Sequence, residues 1–91
     1  MAFVRARDGK EKELIRATEA LLPKVREESG NLHCQFHQSL DEPRVFAFYE
    51  IFESVEALES HKVTAHVRQW AADVQSLTAG PIELKLLQAI G

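Results

Sequence analysis

The chain has 91 residues, 45% of them apolar and 27% charged, a globular balance rather than a disordered one. Its net charge of −3, with Lys and Arg scattered, speaks against a nucleic-acid partner, and a lone cysteine, Cys34, rules out an internal disulfide and fits a reducing compartment. No run is apolar enough for a membrane span or a leader, so the expected molecule is one small cytoplasmic domain, residues 1–91, with no membrane or nucleic-acid partner.

The opening "MAFVRAR" alternates loosely and stops at the Asp8-Gly9 turn signal, which predicts a short strand. From Lys10 to Glu28, Leu14, Ala17, Leu21 and Val25 recur at three- and four-residue spacing, one face of an amphipathic helix. Pro23 lies inside it and should kink it, and Gly30 ends it. "LHCQFHQS" then alternates, with Leu32, Cys34 and Phe36 on one side and His33, Gln35 and His37 on the other. After the turn "DEPR", "VFAFYEIFE" predicts a second strand in hairpin relation to it. Ser54 can cap a helix beginning "VEALESH". The periodicity slips there, and Thr64 can cap a further segment whose apolar face is Val67, Trp70, Ala71, Val74 and Leu77. Gly80-Pro81 stops it, and "IELKLLQAI" predicts a last strand. The order βαββαβ is α+β and ferredoxin-like: a four-stranded antiparallel sheet with two helices on one face.

"VFAFYEIFE" carries a second expectation. Val45, Ala47, Tyr49 and Ile51 lie on one face of the strand, and Phe46, Phe48 and Phe52, with Glu50 among them, on the other. Both faces call for burial, while the helices cover only one. A second copy of the same sheet is the simplest cover for the other face, so a homodimer is expected.

Four histidines, His33, His37, His61 and His66, are the side chains that ordinarily titrate near neutrality. On one continuous helix His61 and His66 would point about 140° apart, at about 100° per residue. His33 and His37 share a strand face but stand ~13 Å apart at ~3.3 Å per residue. Neither pair chelates an ion unaided, so no metal is expected. A break at Thr64 changes the outlook for His61 and His66. One would end a helix, the other would lie in the first turn of the next, and both could face a common cleft as bases or hydrogen-bond donors. The alternative is that His61 serves a helix end and His66 only packs.

Glu50, flanked by Phe48 and Phe52, should have a raised pKa if buried, which suits general acid or base work. Its alternative is an ion pair with Arg44, Arg68 or a partner chain. Trp70, four residues after His66, reads as core or as the wall of an aromatic pocket, and Tyr49 has the same two readings.

The stretches "RARDGKEKEL", "EESGNL" and "FAFYEIFESVEALESHKVTAHV", with the closing strand, resemble the antibiotic biosynthesis monooxygenase domain family. The most specific part is Tyr49-Glu50, the Glu53-Ser54 turn, Ala57-Leu58, His61, Thr64 and His66. The resemblance implies a dimeric α+β barrel with a pocket between sheet and helices in each protomer. It also implies cofactor-free oxygenation of a quinol or polycyclic phenol, in which the protein deprotonates and orients. On that reading Glu50 or His66 takes the proton, His61 takes part with them, and Trp70, Tyr49 and Phe48 contact substrate. "EESGNL", "HKVTAH" and "SLTAGP" look closest to the branch that isomerises a phosphorylated keto-sugar, for which Lys62, Arg68 and the helix start at Thr64 would form an anion site. A dimeric module that binds a small molecule without turnover is the third alternative. The haem-degrading branch needs an asparagine on the first strand, a tryptophan near His61 and a histidine near Ala71, all absent here. The first strand is about four residues shorter than the resemblance leads one to expect, which would fit a trimmed or mispredicted start.

Overall fold

The structure is a computed structural model that describes residues 1–91. Its elements are β1 (Ala2–Arg5), α1 (Glu11–Arg26), β2 (Asn31–Gln38), β3 (Val45–Phe52), α2 (Val55–Lys62), α3 (Ala65–Val74) and β4 (Glu83–Leu84). The strands form one antiparallel sheet in the order β2-β3-β1-β4. This is the expected ferredoxin-like arrangement, with the second helix divided in two.

The apolar spacing of α1 turns Leu14, Thr18, Leu21 and Val25 onto the sheet, while Glu11 and Glu13 near its start and Lys24 and Arg26 near its end suit the helix dipole. β1 and β3 contribute Val4, Phe46 and Phe48 to the same layer, and α3 contributes Val74. A second group, Leu21, Val25 and Cys34, lies under the C-terminal half of α1 with Val67 against it, and Leu22 and Trp70 span both groups. Trp70 donates its indole N–H to the buried Thr18 hydroxyl at 3.1 Å and meets Phe48 edge-on at 5.5 Å.

Three details depart from expectation. Leu32 leaves the alternation of β2, because the register against β3 slips between Asn31 and His33 and bulges it outward, 63% exposed. Ala71 faces solvent, one position off the stripe of Val67, Trp70, Val74 and Leu77. The last strand is only Glu83–Leu84. Beyond it, Lys85 exchanges backbone hydrogen bonds with Met1, and Leu86, Leu87 and Ile90 are exposed.

β3 alternates as predicted, with Phe46, Phe48, Glu50 and Phe52 toward the helices and Tyr49 and Ile51 on the open face. No helix is long and apolar enough to cross a membrane.

Candidate active site

The site forms where the end of α1, the junction of α2 and α3, and the middle of β3 converge. Ser54 caps α2 by accepting the Ala57 N–H at 3.0 Å, which fixes the register of the helix that ends with His61-Lys62. Thr64 holds the break. Its hydroxyl donates to the His61 carbonyl at 2.8 Å and accepts the Val67 N–H at 3.3 Å, stopping one helix and starting the next. That turn brings His61 and His66 onto the same side, which a continuous helix would not.

Both rings reach one carboxylate. Glu28, two residues past the end of α1, has both oxygens 3.0 Å from His61 Nδ1, and its Oε2 lies 2.6 Å from His66 Nε2. On its other edge, His61 places Nε2 3.5 Å from Glu50 Oε2. That distance is an electrostatic contact rather than a formed hydrogen bond, and Glu50 Oε2 is the one buried side-chain oxygen without a hydrogen-bond partner. The Phe52 ring packs against the His61 imidazole at 4.8 Å. The four side chains retain between 11% and 21% exposure, His66 the most.

Burial raises the pKa of Glu50; His61 opposes the rise and Glu28 adds to it. Cys34, directly opposite Glu50 on β2, has its thiol pushed up to about 12, first by burial and then by the Glu50 charge. Arg26 acts the other way on Cys34, its Nε and Nη2 donating to the Cys34 carbonyl at 3.1 and 2.9 Å.

The structure sorts the residues singled out from the sequence. His61, His66 and Glu50 come together. The arginine partners envisaged for Glu50 are not at hand, since Arg44 donates to the Ala6 carbonyl and the neighbour of Glu50 is His61. Phe48 and Trp70 lie in the core beneath the site. Tyr49 does not join the group. It sits between Phe48 and Glu50 on a pleated strand, so it points to the open face, where it meets His33 edge-on at 5.4 Å. Lys62 pairs with Glu59 at 3.3 Å on the surface, and the Thr64 hydroxyl is engaged on both sides within the turn. Two surface hollows, about 310 Å³ against Arg26 and Leu32–Gln35 and about 700 Å³ against Phe3–Arg5 and Ala79–Glu83, lie apart from the four residues.

Glu28 is the member that sequence reasoning missed. Its signal was "REES": acidic residues just past a helix C-terminus, where the dipole disfavours negative charge and some compensating partner is called for.

The sequence profile of the family described as antibiotic biosynthesis monooxygenase, ABM, matches residues 1–73. The chain belongs to the ABM family. All four residues of the site fall in the matched segment. A solved structure from Caulobacter crescentus, provisionally named an antibiotic biosynthesis monooxygenase, superposes with a TM-score of 0.93 at 26% identity, covering 99% of this ABM chain and 86% of the other. A similarly named protein from Nitrosomonas europaea gives a TM-score of 0.87 at 27% identity, covering 90% and 79%. An uncharacterised Synechocystis protein is 24% identical over 83 residues, which are 91% of this ABM chain but only 56% of that protein, so the chain spans little more than half of that relative's length.

Proposed function

We propose that this ABM chain is a small monooxygenase acting on a quinol or polyhydroxylated aromatic, with no added cofactor. The observation that carries this reading is Glu50, a carboxylate sunk among Phe48, Phe52 and His61, with one oxygen unpartnered and its pKa raised. A lone buried polar atom of this kind costs about 1–3 kcal/mol, and such groups gather where a protein does chemistry. A raised pKa brings the carboxyl closer to neutral pH, where a general base is most effective.

In the reaction, the pair of Glu50 and His61 takes the proton of a bound phenolic hydroxyl. The ionised substrate is then electron-rich enough to reduce oxygen itself. A quinol and O₂ give a hydroxyquinone and water: one oxygen atom enters the ring, the other leaves as water, and the substrate supplies all the electrons. His66, the most exposed of the four, stands on the side from which a substrate arrives. General-base assistance of this kind is worth ~10²–10⁴ in rate.

The isomerase of a phosphorylated keto-sugar is less well supported. Glu50 lies 3.5 Å from one edge of His61 and Glu28 lies 3.0 Å from the other, so two carboxylates flank the ring. A phosphate beside two carboxylates would be repelled.

The open sheet face supports a homodimer as the working form. Tyr49 and Ile51 are 45% and 41% exposed there, and Leu86, Leu87 and Ile90 of the tail are also uncovered.

The test is oxygen uptake with a panel of quinols and polyhydroxylated aromatics, without added flavin or metal, comparing the parent with Glu50→Gln and His61→Ala. Uptake that falls at least ~10²-fold in the variants supports the reading. No uptake with any phenol moves the weight to phosphorylated keto-sugars or to binding without turnover.

A further inference from the structure

We infer that Glu28 is the positioning residue of this site, its carboxylate holding His61 with the proton on Nδ1 and His66 with the proton on Nε2. The two rings therefore present their free nitrogens in different directions: Nε2 of His61 toward Glu50, and Nδ1 of His66 away from Glu28. The functional side of this inference rests on the base chemistry proposed above; the tautomers themselves do not.

The hydrogen count leads to it. Two ring nitrogens converge on one oxygen, Glu28 Oε2, at 3.0 and 2.6 Å, and Oε1 also lies 3.0 Å from His61 Nδ1. A protonated carboxyl has a single hydrogen to give, so it could not donate to both rings. A carboxylate that accepts from both satisfies every one of these contacts at once. The shortness of the His66 contact fits a charge-assisted bond.

Position explains why the carboxylate is well placed for this. Glu28 lies beyond the C-terminus of α1 and is held by the turn into β2, where its own carbonyl accepts the Asn31 N–H at 3.1 Å. With its side chain 14% exposed, water competes little for its oxygens. No lysine or arginine makes an ion pair with it, which leaves the two imidazoles as its partners.

The consequence is a division of labour between the histidines. With Nδ1–H given to Glu28, His61 has only Nε2 left to face Glu50, so a proton shared by that pair lies on the Glu50–His61 edge. His66 keeps Nδ1 as an acceptor on the more exposed side. Alanine at position 28 offers neither ring an acceptor, so nothing then holds both in these tautomers, whereas the oxygen of an amide at the place of Oε2 could still accept from both.

The experiment is imidazole ¹⁵N NMR of the intact protein without substrate, at a pH where the rings are neutral, on the parent and on Glu28→Ala. In the parent, the expected spectrum shows an unprotonated Nε2 for His61 and an unprotonated Nδ1 for His66. In Glu28→Ala, at least one ring switches or averages between tautomers, and kcat on the proposed substrate falls by ~10²–10⁴ with a displaced pH profile. A parent spectrum with the opposite tautomers, or with either ring averaging between them, overturns the inference, and this arm stands even if the variant fails to fold. A folded Glu28→Ala whose two rings keep the parental pattern overturns it as well. Because the spectra need no turnover, a missing oxygenase activity would leave this result untouched.

Discussion

Gly30 and Ala57 meet so closely that a Cβ added to Gly30 would overlap the Cβ of Ala57. The Glu53 N–H is bonded to the Gly30 carbonyl at 2.9 Å in the same contact, so α2 is seated directly on the turn that follows α1. That turn carries Glu28 and that helix carries His61. The absence of one methyl group is therefore part of what brings the two ends of the site within 3.0 Å.

Gly30→Ala should accordingly push α2 outward and destabilise the fold by about 1–3 kcal/mol, the range for overpacking a close contact. Adding Ala57→Gly should return part of the loss, because it removes the opposing methyl. Urea unfolding of the two single variants and the double variant measures the coupling. Additive losses would mean that the two positions do not press on each other.

Glu50→Gln separates the role of the carboxyl in stability from its role in chemistry. The folded pKa of Glu50 is raised above the ordinary value of 4.5 by burial, so the folded state holds its proton more tightly than the unfolded chain does. The stability this contributes is fully present below the unfolded pKa and is lost as pH rises through the folded one. Glu50→Gln, which cannot ionise, should thus gain on the parent in thermal unfolding as pH rises above the ordinary carboxyl range. A difference that is flat with pH, or of the opposite sign, would contradict the burial of an ionising group here.

Cys34 should behave as an inert thiol. Its pKa of about 12 leaves almost no thiolate at moderately alkaline pH, and the side chain is buried. Alkylation by iodoacetamide should follow the opening of the fold and rise steeply with urea. Rapid labelling of the native protein would show that the cysteine is reached from solvent.

Ile51→Asp tests the proposed pairing of sheets. Ile51 is on the open face, opposite the side that packs on the helices, so the substitution spares the core of the protomer. Light scattering should give a dimer for the parent and a monomer for the variant, with retained helical and strand content. A monomeric parent would remove the basis for the pairing.

Much of this architecture is written in local patterns. The alternation of β3 assigned each of its eight residues to the correct face, because a period of two leaves no other choice once Phe46 and Phe48 are inside. The break before α3 was visible at Thr64, a residue with no place in a helix interior but a natural place at its cap. Glu28 left only the acidic pair past a helix end as a trace. Its partners lie 33 and 38 residues away, and nothing in the helix that precedes it says where the carboxylate turns. Tyr49 shows the converse: an aromatic beside a candidate acid invites a pocket, yet the pleat sends adjacent residues to opposite faces. The short β4 likewise depends on its pairing with Ala2 and Phe3 of β1, which no pattern within "IELKLLQAI" records.

The most direct measurement of the central claim is the mass of the product formed from a quinol under ¹⁸O₂ by the parent protein, beside Glu50→Gln. The expected result is a hydroxyquinone carrying a single labelled oxygen, with the labelled product nearly absent from the variant. Product without label, or labelled product at the parental rate from Glu50→Gln, would contradict an oxygenase working through Glu50.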